Sequence, residues 1–455
     1  MFKKQYITGA FLAVISLFSS CTNLDEEIFS SIPEKDFYKT ESEFLAAMVP
    51  IYSSMRTLTE HSNWWDLEET TDVCVTPVKN HGLWYDGGIY IRLHQHSWME
   101  EDAHLNNIWN ALYSGVSSAN RVLYQFENST IEMNGKENYI AELKVARAFY
   151  YYLLLEAFGN VPIIDRFDVP DGYLPATEPR SKVFEFVESE LKNNINNLSE
   201  DVLNTYGRFN KWNAKMLLAR LYLNAEAWIG TPMYNECENL CNEIIATNKY
   251  RLDGDYSLPF STNNELSNET MFVIPFDETK SGGQIYMWAR KTLHYSQMQT
   301  FNLQATWLDG GCVGVPTFFD NYIEGDKRLE KTWRMGQQYA LDGTPLWTNG
   351  WCGDPQMLLS YTKDVTNISG DATMYQGYRF GKYEIKIGAT GTPDNDYVIM
   401  RYAEVLMMKA ECILRTGGSS QEAAELVNEV RRRNFDTTNE LTGSELEATL
   451  SLIHI

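Results

Sequence analysis

The sequence lacks any apolar run long enough to cross a bilayer as a mature helix. Its longest apolar stretch, residues 7–18, falls short of the roughly 20 residues that a spanning helix needs. Basic residues are also scarce, because 38 Lys and Arg face 61 Asp and Glu and leave a net charge of −23. Binding to phosphate depends on clustered Lys and Arg, so nucleic acid and anionic lipid are disfavoured as partners. A neutral or cationic ligand fits this balance better.

Cysteine is thinly spread as well. Apart from Cys21, the chain has six cysteines over 455 residues, at positions 74, 237, 241, 312, 352 and 412. This density does not indicate a disulfide framework, although an oxidising compartment would permit disulfides. Cys237 and Cys241 lie four residues apart in a predicted helix, which is neither the CxxC redox spacing nor a zinc-knuckle spacing. We therefore predict that both are core thiols.

Motifs that support catalysis are missing. The sequence has no GxSxG elbow, no Walker loop and no GxGxxG turn, so acyl transfer, nucleotide and dinucleotide chemistry are not indicated. A glycosidase would need two carboxylates that face one bond, and no local motif selects such a pair from the 61 acids. We predict that the protein is not an enzyme and needs no cofactor.

Four of the seven histidines fall within 24 residues, beside an acidic run at 100–102. His81, His94, His96 and His104 could in principle bind zinc, with His94 and His96 on one face of a strand. No HExxH, CxxC pair or helical HxxxH accompanies them, so no metal site is predicted. The alternative interpretation is a polar rim beside a ligand-binding loop.

The N-terminus has the pattern of a lipoprotein signal. Lys3 and Lys4 precede the apolar stretch, and two serines lead directly to Cys21. A basic start, a short apolar region and small residues before one cysteine predict cleavage after residue 20 and lipidation of Cys21. Several acyl chains on one residue would anchor the protein stably to a membrane. An ordinary secretory signal peptide is the alternative, and the acidic run 25–27 is either an export tag or a solvated tether.

The body of the chain is predicted to be mainly α-helical. Apolar residues recur at helical spacing in 106–126, 139–158, 182–198, 211–228, 234–247, 397–416 and 421–433. Small residues at possible crossing points, among them Ala403, Ala410, Ala423 and Ala424, suit tetratricopeptide-like hairpins that stack on one another. Between the helices lie long loops rich in aromatic and polar residues, at 63–104, 253–307 and 308–395. Loops of that length in a compact protein tend to be functional.

Several segments resemble one known family. They are ELKVARAFY at 142–150, FGNVPI at 158–163, GRFNKWNA at 207–214, DYVIMRYAEVLMMKAE at 396–411 and VNEVR at 427–431. Their order and spacing resemble the SusD-like (RagB/SusD) family of outer-membrane nutrient-binding lipoproteins. The resemblance runs from Cys21 to the end of the sequence. It implies one nutrient-binding domain over 21–455, after a signal peptide at 1–20, and a domain cut short at its C-terminus because the family continues with further helices.

The resemblance also implies a fold and a function. Members have a tetratricopeptide-like helical scaffold, and long loops form the ligand-binding face. They are non-catalytic surface proteins of the outer membrane that capture an oligosaccharide and deliver it to a SusC-like TonB-dependent transporter. Two alternatives stay open at this stage: a peptide-binding relative of the same family, and a surface glycoside hydrolase.

Aromatic rings flanked by polar groups are the side chains expected to hold a sugar, because sugars present flat CH faces and many hydroxyls. From the residues themselves, Trp84, Tyr85 and Trp288 are candidates within the long loops. Five further candidates in these loops, namely Asp72, Lys79, Trp98, Tyr295 and Trp307, also match the motif positions of the family's glycan sites, so the resemblance implies a glycan-binding role for them. Trp109 and Trp212 lie within helical patterns and are predicted to be structural.

Overall fold

The computed structural model describes residues 38–60, 62–170, 172–280, 287–304, 308–370, 372–391, 394–435 and 440–448, without the side chains of 287, 288 and 448. The predicted signal peptide, Cys21 and Trp307 lie outside these ranges. The described helices are α1 (Glu41–Ser53), α2 (Ile89–His94), α3 (Ala103–Asn128), α4 (Lys136–Phe158), α5 (Arg180–Asn194), α6 (Lys211–Leu223), α7 (Ala225–Ile229), α8 (Tyr234–Ala246), α9 (Met287–Arg290), α10 (Met298–Phe301), α11 (Lys327–Thr332), α12 (Tyr402–Arg415), α13 (Ser420–Arg432) and α14 (Gly443–Ala448).

The strands are short and pair two by two. They are β1 (Cys74–Val75), β2 (Val161–Pro162), β3 (Thr177–Glu178), β4 (Thr270–Ile274), β5 (Val313–Gly314), β6 (Trp333–Arg334), β7 (Gly336–Gln337), β8 (Ser360–Tyr361), β9 (Arg379–Phe380) and β10 (Tyr397–Arg401). The five ladders within the described ranges are antiparallel: β1–β5, β2–β3, β4–β10, β6–β9 and β7–β8. The prediction of a mainly α-helical fold is confirmed.

The long helices form one continuous layer. α1 packs on α3, and α3, α4, α5 and α6 then follow as successive neighbours; α6 contacts α8, α8 contacts α12, and α12 packs on α13. This is the hairpin stacking predicted from the small residues, and Ala410, Ala423 and Ala424 are completely buried where α12 meets α13. α4 is the central helix, with apolar residues buried around most of its circumference.

Local sequence explains where several helices begin. Thr40 and Glu43 form a capping box at the start of α1, and Asn210 and Asn213 form another at the start of α6. In each box a side chain satisfies backbone N–H groups that have no partner within the helix. α13 begins at the cap Ser419, whose hydroxyl accepts from the amide of Glu422.

The long loops build a second layer with its own apolar core. This core includes Trp65, Tyr256, Phe260, Leu293, Leu308 and Tyr383. A buried charge network ties the loop layer to the helices: Lys291 donates to Asp66 at 2.7 Å and also to Glu69, while His104 of α3 lies 2.8 Å from Asp66. The network fixes the segment 289–293 against the start of α3.

Three sequence expectations need correction. The predicted helix 397–416 is wrong over its first five residues, which form β10 because the buried strand β4 offers antiparallel pairing. The predicted helix 211–228 is divided at Asn224, whose side-chain amide donates to the carbonyl of Arg220 and competes with the helix. His94 and His96 do not share a strand, since His94 is the last residue of α2.

The placements predicted for two cysteines and two tryptophans are confirmed. Cys237 and Cys241 are fully buried, and no disulfide joins the cysteines of the described residues. Trp109 packs against Phe158, and Trp212 is buried in the helical core. No helix within the described ranges has both the length and the apolar character required to cross a membrane.

Candidate functional site

A tight turn that follows β1 presents Trp84. Asn80, His81, Trp84 and Asp86 all adopt positive φ, with Trp84 at 62°. A bulky residue in this region is an outlier that costs on the order of 1–3 kcal/mol and persists only where its surroundings enforce it. The indole of Trp84 is held in place by a hydrogen bond from Nε1 to the carbonyl of Asp309 at 3.1 Å. Backbone strain at an aromatic residue marks this turn as a candidate site.

A second strained turn presents Trp351. Asn349 and Cys352 have φ of 56° and 52°, and Gly350 lies between them at 68°. The ring of Trp351 stacks on Tyr295, with centroids 5.8 Å apart and planes 28° from parallel. Tyr295 remains 48% exposed. Two stacked rings therefore meet solvent at this turn.

The two turns lie side by side. The amide of Asn80 donates to the carbonyl of Cys352 at 2.7 Å and to Asp354 Oδ1 at 2.9 Å. Both indoles also rest on consecutive glycines: a Cβ at Gly310 would come 3.3 Å from Trp351, and a Cβ at Gly311 would come 2.5 Å from Trp84. We call Trp84, Tyr295 and Trp351 the aromatic platform.

Buried basic side chains hold the backbone beneath the aromatic platform. Lys79 Nζ donates to the carbonyl of Gly310 at 2.7 Å, and the guanidinium of Arg379 donates to the carbonyls of Gly310 and Cys312 at 3.1 and 3.2 Å. Burial, followed by the charge of Arg379, holds the pKa of Lys79 well below its ordinary value. Burial also lowers the pKa of His294 to about 3, so this ring is neutral at physiological pH. These groups fix the loop and do not face solvent.

Polar groups border the aromatic platform. Arg290 Nε lies 2.9 Å from Asp309 Oδ2, and both side chains are partly exposed. Because the carbonyl of Asp309 also accepts from Trp84, this ion pair sits directly beside the indole. Flat aromatic surface next to charged and amide groups suits a ligand with apolar faces and hydrogen-bonding edges.

The structure brings together only some of the predicted site residues. Trp84 and Tyr295 belong to the aromatic platform, and Tyr85 is exposed in the same strained turn. The prediction that Lys79 contacts the glycan needs correction. Its side chain has no exposed surface, so it supports the site from inside and cannot touch a ligand. Asp72 is exposed just before β1, and among the described residues no hydrogen bond or ion pair joins it to the platform.

Trp98 lies elsewhere. Its ring is 47% exposed, packs 5.6 Å from His96 and borders a cleft of about 860 Å³ between the helices and the segment 64–71. No described contact joins it to the aromatic platform. The side chain of Trp288 and the whole of Trp307 lie outside the described residues, so their predicted roles stay predictions.

Sequence reasoning missed Trp351 and the neighbouring Trp347. Trp347 is largely exposed, and its carbonyl accepts from the hydroxyl of Ser296 beside Tyr295. The pair falls in WTNGWCG, where Asn and Gly between two tryptophans indicate a tight turn with exposed rings. That signal was available in the sequence.

The histidine-rich segment is divided among separate environments. His104 is buried against Asp66, and His96 Nε2 lies 2.7 Å from the carbonyl of Thr70. No group of three or more possible metal ligands forms within the described part of the chain. The segment connects the strained turn of Trp84 to the start of α3.

Comparison with known proteins places these features in context. A family model described as starch-binding associating with outer membrane matches residues 25–223, and a model of the SusD family matches residues 242–453. The starch-binding protein SusD of Bacteroides thetaiotaomicron is 24% identical over 421 residues, which are 84% of this chain and 71% of that protein. A SusD-like protein of Bacteroides ovatus is 27% identical over 451 residues, 92% and 74% of the two chains.

Solved structures share the fold. A SusD superfamily protein from Parabacteroides distasonis aligns with a TM-score of 0.70 at 20% identity, covering 91% of this chain and 86% of the other. The surface glycan-binding protein A of Bacteroides thetaiotaomicron, in complex with laminarihexaose, aligns with a TM-score of 0.67 at 20% identity, covering 91% and 85%.

Proposed function

The chain belongs to the SusD-like family, and from this premise we propose that it is a non-catalytic glycan-binding protein of the outer membrane. The aromatic platform is its binding face. One observation carries the proposal: Tyr295 and Trp351 stack with their rings accessible to solvent, beside Trp84 and the Arg290–Asp309 pair. Sugar rings stack their CH faces on such surfaces while their hydroxyls bond to nearby polar groups.

The fit to a neutral glycan rests on the charge of the site. The basic side chains beneath the platform, Lys79 and Arg379, are buried and donate to backbone carbonyls. Arg290 is paired with Asp309. No unpaired cation is therefore presented to a polyanion by these residues, in keeping with the net charge of −23.

The proposal includes anchoring and delivery. Residues 1–20 would be removed as a signal peptide, the domain 21–455 would be held by lipidated Cys21, and captured glycan would pass to a SusC-like TonB-dependent transporter. Membership of the family supports each of these steps. Growth of cells with a radiolabelled fatty acid tests the anchor: label is expected on the native protein and absent from Cys21→Ser.

Binding is tested with the secreted form from residue 22 onward on native gels that contain plant, host or microbial polysaccharides. We expect one or a few polysaccharides to retard the protein. Trp351→Ala or Tyr295→Ala should weaken binding about tenfold or more, since each removes a stacking surface. Tyr173→Ala is the matched control because Tyr173 is as exposed as Tyr295 and lies in the loop between β2 and β3, outside the platform.

Three results would overturn the proposal. Undiminished binding by both platform variants would move the site elsewhere. A cooperatively folded protein that binds no polysaccharide but binds peptides would favour peptide cargo. Shortening of a bound glycan would identify a hydrolase.

A further inference from the structure

A small backbone ladder lies next to the aromatic platform. Gln338, Leu359 and Leu346 are joined in turn, the amide of each donating to the carbonyl of the next at 2.7–2.9 Å. The side chains of all three are buried. Because successive side chains of a strand point to opposite faces, the residues beside these three project the other way. The ladder therefore has one buried face and one face toward solvent.

Three large apolar side chains occupy the solvent face of this ladder. Trp347 lies opposite Leu358, and Tyr339 lies opposite Pro345. Trp347, Leu358 and Tyr339 are each 42–49% exposed. Single exposed apolar side chains are ordinary, but a group of them on one face indicates an interaction surface. We call Tyr339, Trp347 and Leu358 the outer strip.

The outer strip is joined to the segment 295–300, which begins with Tyr295 of the aromatic platform. The hydroxyl of Ser296 donates to the carbonyl of Trp347 at 2.7 Å, and the hydroxyl of Thr300 donates to the carbonyl of Tyr339 at 2.7 Å. Both contacts use backbone carbonyls of the outer strip, so the rings themselves stay free to face solvent.

A tight turn makes a second connection between the two surfaces. The amide of Trp351 donates to the carbonyl of Thr348 at 3.1 Å, and Trp347 immediately precedes this turn. Trp351 in turn stacks on Tyr295. Trp347 is therefore connected to both stacked rings of the aromatic platform, and the outer strip continues the apolar surface that those rings begin.

The surroundings of the outer strip favour a neutral sugar chain as its occupant. Residues 335–361 contain no Lys or Arg and only two acids, of which Asp354 is buried. Exposed Thr344, Asn349 and Gln356 supply hydroxyl and amide groups instead. Rings bordered by uncharged polar groups suit the CH faces and hydroxyls of a sugar. Three apolar side chains also provide much less area than the roughly 800 Å² per partner that a stable protein interface buries.

We propose that the outer strip binds a further stretch of the glycan whose first sugars stack on the aromatic platform, so that the protein selects long chains over short ones. This inference rests on the proposed function. A chain held at two adjacent surfaces loses its translational freedom only once, so the second contact adds affinity for every chain long enough to reach it. Affinity therefore continues to rise with chain length after the aromatic platform is filled.

The test measures affinity against chain length by frontal affinity chromatography on the immobilised secreted form. The probes are oligosaccharides of increasing length, prepared by partial acid hydrolysis of amylose, laminarin, xylan, mannan and any other polysaccharide that retards the protein on native gels. Each length is detected by mass spectrometry. For the glycan that binds, we expect the longest oligomers to bind about tenfold or more tightly than the disaccharide.

Variants separate the outer strip from the aromatic platform. Trp347→Ala and Tyr339→Ala should each weaken binding of the longest oligomers about threefold to tenfold and leave binding of the shortest unchanged. Both remove an exposed ring and keep the backbone carbonyl that joins the ladder to its neighbour. Tyr295→Ala should weaken oligomers of every length. Tyr173→Ala, which removes an equally exposed ring in the loop between β2 and β3, is the control.

The outcomes distinguish this inference from the proposed function. Equal affinity of the native protein for short and long oligomers would overturn the inference alone. So would a length dependence that survives in both strip variants, which would leave the outer strip as a surface for a protein partner. Weaker binding of the shortest oligomers by Trp347→Ala would make that ring part of the platform and also overturn it. If the folded protein binds no oligomer of any length, the proposed function itself fails.

Discussion

Asp396 is expected to make the protein less stable as the pH rises from about 4 to about 6. Its carboxylate accepts from the amide of Phe276 at 2.8 Å and from the hydroxyl of Tyr206 at 2.5 Å, and it is 5% exposed. Burial raises its pKa from 3.8 to about 6; Glu265 adds to the rise, whereas the two hydrogen bonds oppose it. The folded state therefore holds a proton that the unfolded state has already lost.

The sign and size of this change in stability follow from proton linkage. Between the two pKa values the folded state binds more protons than the unfolded state, so stability falls as the pH rises and is level above about 6. The rise of the Asp396 pKa from 3.8 to about 6 corresponds to a loss of about 3 kcal/mol in the free energy of unfolding, which is an upper value for this side chain. Asp396→Asn removes the charge while its amide can still accept from Phe276 and donate to Tyr206.

The assay is urea unfolding of the native protein and Asp396→Asn at intervals from pH 4 to pH 7.5. The difference between the two free energies of unfolding cancels the titration of the other groups, which both proteins share. This difference should shift in favour of the variant by up to about 3 kcal/mol as the pH rises, with most of the change between pH 4 and 6. A difference that stays constant with pH, or that shifts toward the native protein, would refute the reasoning.

Two glycine substitutions test close packing, with Gly254→Ala as control because a Cβ there meets no atom within 4 Å. Gly311→Ala places a Cβ 2.5 Å from the indole of Trp84, so we expect glycan affinity to fall severalfold in calorimetry through displacement of the ring. Gly115→Ala places a Cβ 2.2 Å from the buried ring of Tyr150, and overpacking should lower the free energy of unfolding by about 1–3 kcal/mol. Native-like affinity in the first variant, or native-like stability in the second, would contradict the corresponding prediction and show that the neighbouring ring moves aside at little cost.

The helical layer was predictable because its signals are local. A period of 3.6 residues specified which side chains of α3 face inward, a nearly continuous apolar run marked α4 as a buried helix, and the glycine that ends α4 marked its boundary. The strand β10 was not predictable in this way. Its apolar residues fit a helix as readily as a strand, and the choice depends on pairing with β4, more than 120 residues earlier.

For a related reason, the sequence predicted single aromatic residues of the candidate site but not how they meet. Rings such as Tyr295 could be proposed from the sequence, but the sequence does not separate them from loop aromatics that are buried in the loop core, such as Tyr256 and Phe260. Whether two rings meet depends on loop geometry that no local pattern specifies. Trp84 and Trp351 are 267 positions apart and meet through Gly310, Gly311 and the amide of Asn80.

Lys79 shows why a charged residue in a binding loop need not touch the ligand. Its buried amine, which forms no ion pair within the described ranges, donates to the carbonyl of Gly310, the residue against which Trp351 packs. Removal of this donor would leave a buried carbonyl with one partner fewer, so the strained turns on either side would lose a support. In the proposed site, Lys79 would thus affect glycan binding through the position of the rings, and the exposed groups that contact the sugar need not be charged.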